Sequence, residues 1–147
     1  MKNAVQILKS KAVRGVATIT QTQSAHDAAV LMGERGIGAL LVVEGERIVG
    51  IVSERDLARK LVQQDKSAKT TRVADIMTKP VMYVEATHTN EECMALMTDN
   101  RLRHLPVLEG GKLIGLISIG DLVKDVISEQ QFTIEQLEHY ITGVHAV

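Results

Sequence analysis

Two segments carry residue types whose spacing could do chemistry: Gly50-Ile-Val-Ser53-Glu-Arg-Asp56-Leu57 and Gly115-Leu-Ile-Ser118-Ile-Gly-Asp121-Leu122. In each, an apolar run entered through a glycine ends in a hydroxyl, with a carboxylate three residues further on. The run reads as a buried strand and the serine as the cap of a following helix. Such a junction presents unpaired backbone N–H groups at the positive end of a helix dipole, which suits an anionic oxygen such as phosphate. The carboxylate has acceptor pairs that match the two hydroxyls of a ribose. The same residues also fit a plain N-cap with an acidic dipole complement. Duplication and the glycine entry favour a ligand.

The two copies differ in their basic groups. Arg101-Leu-Arg103-His104-Leu-Pro106-Val stands in the second where Gly36-Ile-Gly38-Ala39-Leu-Leu41-Val stands in the first, and Arg55 in the first faces Gly120 in the second. Surface arginines are usually just solvated. The sharper reading is two related but unequal sites, with Arg55, Arg103 and His104 making charge-assisted bonds to phosphate.

The elements that position these groups are themselves repeated. Residues 17–62 align on 82–127 without a gap at an offset of 65, with 11 identical pairs in 46 positions and mostly apolar exchanges elsewhere. Each half predicts a short strand (Ala17–Thr20; Met82–Glu85) and a helix opened by Ser24 or Thr89, where Thr89 and Glu92 have capping-box form. A strand (Ala39–Val43; His104–Leu108), a glycine turn and a second strand (Ile48–Val52; Leu113–Ile117) follow, then the helix started by Ser53 or Ser118. The expected fold class is α+β: two β-α-β-β-α repeats packed about a pseudo-two-fold axis over one shared core, plus a C-terminal helix. The first domain spans 5–62 with the lead-in Val5–Lys11, the polar linker 63–72, and the second domain 73–127 with its own lead-in Val73–Lys79. The helix and tail occupy 128–147, opened by a second capping-box signature at Thr133 and Gln136 with Ile134, Leu137 and Ile141 on one face.

Composition narrows the function. With 17 basic and 18 acidic side chains among 147 residues, no global field draws the chain to nucleic acid or an anionic membrane. Only Tyr83, Phe132 and Tyr140 are aromatic, so bases cannot be held by ring stacking; a bound purine would be sandwiched by aliphatic side chains. The single cysteine, Cys93, excludes an internal disulfide. Without a signal-like or spanning apolar segment, the expectation is a soluble cytoplasmic protein.

These motifs resemble a tandem pair of cystathionine-β-synthase (CBS) domains, a Bateman module. The resemblance covers about Val5 to Ile127 and rests on the two Gly-h-h-Ser-x-x-Asp segments, on Arg103-His-Leu-Pro-Val107 and on the Val73-Ala-Asp-Ile-Met-Thr lead-in. It implies adenosyl ligands (AMP, ADP, ATP, NAD(H) or S-adenosylmethionine) in clefts between the paired halves, and a homodimer with Phe132 and Tyr140 as contacts. Asp56 and Asp121 inherit the ribose hydroxyls, and Ser53 and Ser118 the phosphate side. The adenine edge falls to Gly15, Val16, Ala17 and Ile19 in one half, and to Thr78, Lys79, Pro80, Val81 and Tyr83 in the other. Ile37, Gly38, Ala39 and Leu40 close one wall; Arg103, His104, Leu105 and Pro106 close its counterpart. The first half has Leu41 where the second has Pro106, so the two sites need not take the same ligand.

No catalytic constellation stands out. The five histidines lack metal-ligand spacing, and Cys93 replaces Ala28 on an apolar helix face, as a packed thiol would. The reading is therefore a sensor of adenine nucleotides, not an enzyme and with no catalytic cofactor, which either acts on an unidentified partner protein or serves as a nucleotide buffer. Its rivals are a nucleotide-independent dimerisation scaffold and a weak nucleotide-handling enzyme.

Overall fold

The computed structural model describes residues 2–11 and 15–142. The chain is α+β and divides into two bodies, Val16–Met82 and Met1–Gly15 with Tyr83–Val147. In the first, β1 (Thr18–Ile19), α2 (Ala25–Arg35), β2 (Ala39–Glu44), β3 (Arg47–Ser53) and α3 (Glu54–Leu57) follow in order, α3 running on as a π-helical turn over Ala58–Val62 before α4 (Val73–Ile76). The second contains α1 (Ala4–Lys9), β4 (Val84–Glu85), α5 (Asn90–Asn100), β5 (His104–Glu109), β6 (Lys112–Ser118) and α6 (Ile119–Thr142). Each body has a three-stranded sheet, β1-β2-β3 or β4-β5-β6, whose first pair is parallel and whose second is antiparallel.

The local signals explain these elements. Ser24 caps α2 through the Asp27 N–H, and Asp27 returns a bond to the Ser24 N–H, a full capping box. Thr89 caps α5 through the Glu92 N–H, while the Glu92 carboxylate takes the Thr89 hydroxyl. Both helices end in a left-handed residue, Gly36 (φ 63°) and Arg101 (φ 54°). The contrast between Gly36 and Arg101 in the sequence thus falls on two equivalent C-caps.

The lead-ins are exchanged relative to chain order. α1 precedes the first repeat but buries Ala4 and Ile7 in the core of the second, with Val84, Cys93, Met97, Leu105, Val107 and Ile117. α4 precedes the second repeat but buries Val73 and Ile76 in the core of the first, with Ile19, Met32, Leu40, Val42 and Val52. The glycines in the middle of β3 and β6 accommodate these segments. A Cβ on Gly50 would lie 2.6 Å from Met77 Sδ, and one on Gly115 2.5 Å from Leu8 Cδ2. The glycine in each strand therefore admits a neighbouring side chain, and each body has its own cluster of buried residues.

The C-terminal region also differs from expectation. α6 runs unbroken from Ile119 to Thr142; the Thr133 hydroxyl donates to the Glu129 carbonyl one turn back, and Ser128 does the same to Lys124. Thr133 is a mid-helix residue bonded to its own helix, because the apolar periodicity continues through it and leaves no reason to break. The Ile141 side chain and residues 143–147 of the expected tail lie outside the described residues.

Candidate functional site

The candidate site is the strand-to-helix junction of each body. In the first, β2 and β3 place Ala39 opposite Ser53, and the Gly38 carbonyl accepts the Glu54 N–H at 3.0 Å. In the second, His104 lies opposite Ser118, and the Arg103 carbonyl accepts the Ile119 N–H at 2.9 Å. The residues expected to form walls and those expected to bind ribose and phosphate are thus adjacent within each body.

Both Ser-x-x-Asp segments close as reciprocal caps. Ser53 Oγ accepts the Asp56 N–H, and Asp56 Oδ2 accepts the Ser53 N–H at 2.9 Å. In the second body the Asp121 N–H reaches Ser118 Oγ at 3.2 Å, and the Ser118 N–H reaches Asp121 Oδ2 at 2.8 Å. This satisfies helix-terminal donors that would otherwise need water or a ligand.

What surrounds the carboxylates distinguishes the copies. Asp56 is 7% exposed. Its Oδ2 also accepts the Ser53 hydroxyl, while Oδ1 accepts the Thr78 hydroxyl at 2.9 Å and pairs with Lys60 Nζ at 3.0 Å. Four donors occupy a group with about four lone-pair sites. Lys60 also donates to the Ile76 carbonyl, and Thr78 is fixed by two backbone bonds to Ile51. Thr78 therefore serves the carboxylate of the first repeat, whereas chain order had grouped it with the second.

Asp121 is less enclosed. Its Oδ2 pairs with Lys11 Nζ at 2.9 Å, and Lys11 also donates to the Leu116 carbonyl at 2.9 Å. Oδ1 carries no hydrogen bond among the described residues. Burial pushes this carboxyl up, but the Ser118 N–H, the bond from Lys11 and its positive charge, and the Ser118 hydroxyl outweigh it and hold the group below the ordinary carboxylate value. Beside Lys11 lies a groove of about 270 Å³ walled by Val5, Leu8, Ile114 and Leu116, with Lys9, Gly15 and Glu109.

The remaining expected residues divide by position. Ile19, Leu40 and Leu105 are buried in the core clusters. Pro106 is buried on the opposite face of its strand from Leu105 and Val107, as the two-residue period requires. Val16, Ala17, Ile37, Arg55, Val81 and His104 are half-buried; Gly15, Lys79, Pro80, Tyr83, Arg103 and Gly120 are exposed. Lys60 and Lys11 are not among the residues expected from the sequence. An Asp-x-x-x-Lys spacing within one helix signals Lys60; no local spacing links Lys11 to Asp121.

Cys93 is buried and its thiol is pushed up to about 11, by burial first and then by the charge of Glu92. At neutral pH it is a thiol, not a nucleophilic thiolate. Among the described residues no cluster of three or more His, Cys, Asp or Glu side chains could hold a metal ion, and no helix is long and apolar enough to cross a membrane.

A duplicated β-α-β-β-α unit whose strand-to-helix junction carries Ser-x-x-Asp defines a class of paired regulatory, ligand-binding repeats. The chain belongs to the CBS-domain family, whose model matches residues 6–63 and 73–128. It is similar to a solved CBS-domain protein of Burkholderia ambifaria MC40-6, at 61% identity and a TM-score of 0.85 over 90% of this chain and 99% of that one. It is 40% identical over 129 residues to the mitochondrial CBS domain-containing protein CBSX3 of Arabidopsis thaliana, covering 84% of this chain and 63% of that protein. The hexameric CBS-CP12 protein of bloom-forming cyanobacteria is 32% identical, with a TM-score of 0.74 over 82% of this chain and 70% of that one.

Proposed function

We propose that the chain senses adenine nucleotides of the AMP, ATP or NAD(H) type, and that the junction of the second repeat is its principal site. In this reading Asp121 accepts the ribose hydroxyls, Arg103 and His104 lie on the phosphate side at the start of α6, and aliphatic side chains hold the adenine. The observation that carries it is the asymmetry of the two carboxylates: among the described residues one oxygen of Asp121 accepts no hydrogen bond, whereas both oxygens of Asp56 are occupied.

The same contact supplies a mechanism for sensing. Lys11 holds the N-terminal lead-in to Asp121, so a hydroxyl donor arriving at that carboxylate competes with the ion pair. Ligand then shifts the lead-in by the difference between its affinities for the paired and unpaired arrangements. The protein acts as a cytoplasmic homodimer, and a separate regulated protein reads the change.

A second reading, a nucleotide-independent scaffold, draws on the capping boxes, which explain Ser53, Asp56, Ser118 and Asp121 without any ligand. The two separate on denaturing the purified protein and weighing the released small molecules by mass spectrometry, before and after soaking in AMP, ATP and NADH. The sensor releases an intact adenosyl compound after soaking. Recovery of none supports the scaffold, and recovery of a converted nucleotide supports an enzyme.

A further inference from the structure

The turn between β4 and α5 anchors the N-terminal lead-in of the second body through its backbone. The His88 carbonyl accepts the Ala4 N–H at 2.8 Å, the Ala86 carbonyl accepts the Val5 N–H at 3.1 Å, and the Lys2 carbonyl accepts the Asn90 N–H at 3.0 Å. The first body repeats this anchor bond for bond. There the Gln23 carbonyl accepts the Val73 N–H at 2.8 Å, the Gln21 carbonyl the Ala74 N–H at 3.1 Å, and the Thr71 carbonyl the Ala25 N–H at 2.8 Å. In both bodies the residue whose carbonyl takes the first N–H of the lead-in helix also bends its side chain back to brace the turn. Gln23 Oε1 accepts the Thr20 N–H at 3.1 Å, and His88 Nδ1 accepts the Glu85 N–H at 2.9 Å. Both pairs are equivalent at the repeat offset of 65. One hydrogen bond is thus made by an amide in the first repeat and by an imidazole in the second.

We propose that His88 makes this anchor pH-sensitive, so that acidification loosens the lead-in of the second body. A backbone N–H can only donate, so Nδ1 must be unprotonated to accept it; a charged imidazolium carries a proton on both nitrogens and cannot. Histidine is the side chain that changes charge between about pH 5 and 8, whereas Gln23 keeps its acceptor throughout that range. The groups around the ring offer the charged form other partners. Glu92, on the first turn of α5, has Oε2 3.8 Å from Nε2 and attracts the positive charge, while its Oε1 accepts the Thr89 hydroxyl. Glu85 meets the ring through its backbone, with its carbonyl 3.3 Å from Nδ1. On the N-terminal segment packed against the turn, Lys2 is the titratable side chain beside the anchor, and its ammonium is turned to Asp125 of α6 at 3.6 Å. A charged ring therefore leaves the Glu85 N–H, and the turn that presents the His88 carbonyl to Ala4 loses its brace. The loosened segment ends in Lys11, which holds Asp121. The device acts with or without a bound nucleotide.

Hydrogen exchange of single amides in the full chain tests this within one molecule, read by NMR at about pH 7.5 and about pH 5 and divided by the intrinsic rate at each pH. The Ala4 and Val5 amides are expected to lose protection by about fivefold on acidification, the worth of one hydrogen bond. The equivalent Val73 and Ala74 amides keep theirs, because Gln23 does not titrate. In His88→Gln, which installs the side chain of the equivalent position in the first repeat, the loss at Ala4 and Val5 disappears, and protected β5 amides show that the second body remains folded. Equal protection of Ala4 at both pH values in the wild type would overturn the proposal. A loss shared to the same extent by Val73, or one that persists in His88→Gln, would overturn it as well, since the effect would then lie outside the His88 ring.

Discussion

Lys11 Nζ and Asp121 Oδ2 lie 2.9 Å apart, joining the segment that precedes the first repeat to the Ser-x-x-Asp carboxylate of the second. Because the carboxyl is held below its ordinary value in the fold, its contribution to stability is complete above the unfolded value of about 3.9 and is lost as pH falls through the lower folded one. Lys11→Met is therefore expected to lower the melting temperature at neutral pH, and the gap to the wild type should close as the pH drops below about 4. Thermal scans from pH 7 downward measure this; a gap of constant size would show that the ion pair contributes nothing.

The exchanged lead-ins make a packing prediction. Gly115→Ala puts a methyl group 2.5 Å from Leu8 Cδ2, an overpacking expected to cost about 1–3 kcal/mol. Leu8→Ala alone opens a gap, and the two together should cost less than the sum of the single changes because the new methyl occupies vacated space. Urea melts of the four proteins give the coupling, and strict additivity would mean that Leu8 does not rest on β6.

How much of this the sequence disclosed follows from the range of the interactions. Ser24, Thr89, Ser53 and Ser118 act on N–H groups three residues away, so their capping roles are legible from local spacing. The β-hairpins are equally local, and the pairing of Ala39 with Ser53 and of His104 with Ser118 follows from them. Adjacency in the chain misleads for the lead-ins. Nothing near Val5 says that α1 belongs with β6, and nothing near Asp121 points to Lys11. Thr133 misleads in the opposite sense: its spacing to Gln136 mimics a cap, but the apolar stripe runs through it and carries the helix on.

Cys93 gives a chemical check on the second core. It is 0% exposed, and its thiol titrates only near 11, so alkylation by iodoacetamide at pH 8 should be negligible in the folded protein and rapid in urea. Fast labelling without denaturant would contradict the packing of α5 against β5.

The two aspartates should respond differently to substitution. Asp121→Ala removes contacts to two hydroxyls of about 1–2 kcal/mol each, weakening nucleotide binding by about thirty- to a thousandfold, with a modest effect on stability. Asp56→Ala strands Lys60 and Thr78 and is expected to cost about 3 kcal/mol of stability. Paired melting and binding measurements on the two variants separate these roles; the same profile for both would contradict the asymmetry.

Arg103→Ala and His104→Ala address the phosphate side. Each should weaken AMP much more than adenosine, because only the former presents an anion to the start of α6. Equal losses for the two ligands would place both side chains away from phosphate.

The most direct test of the central claim is calorimetric titration of the wild-type chain with AMP, ATP and NADH. Adenine-nucleotide sensing through Asp121 predicts saturable heat with at least one of the three and a raised melting temperature at saturation, both lost in Asp121→Ala. Absence of heat and of any thermal shift with all three would contradict it.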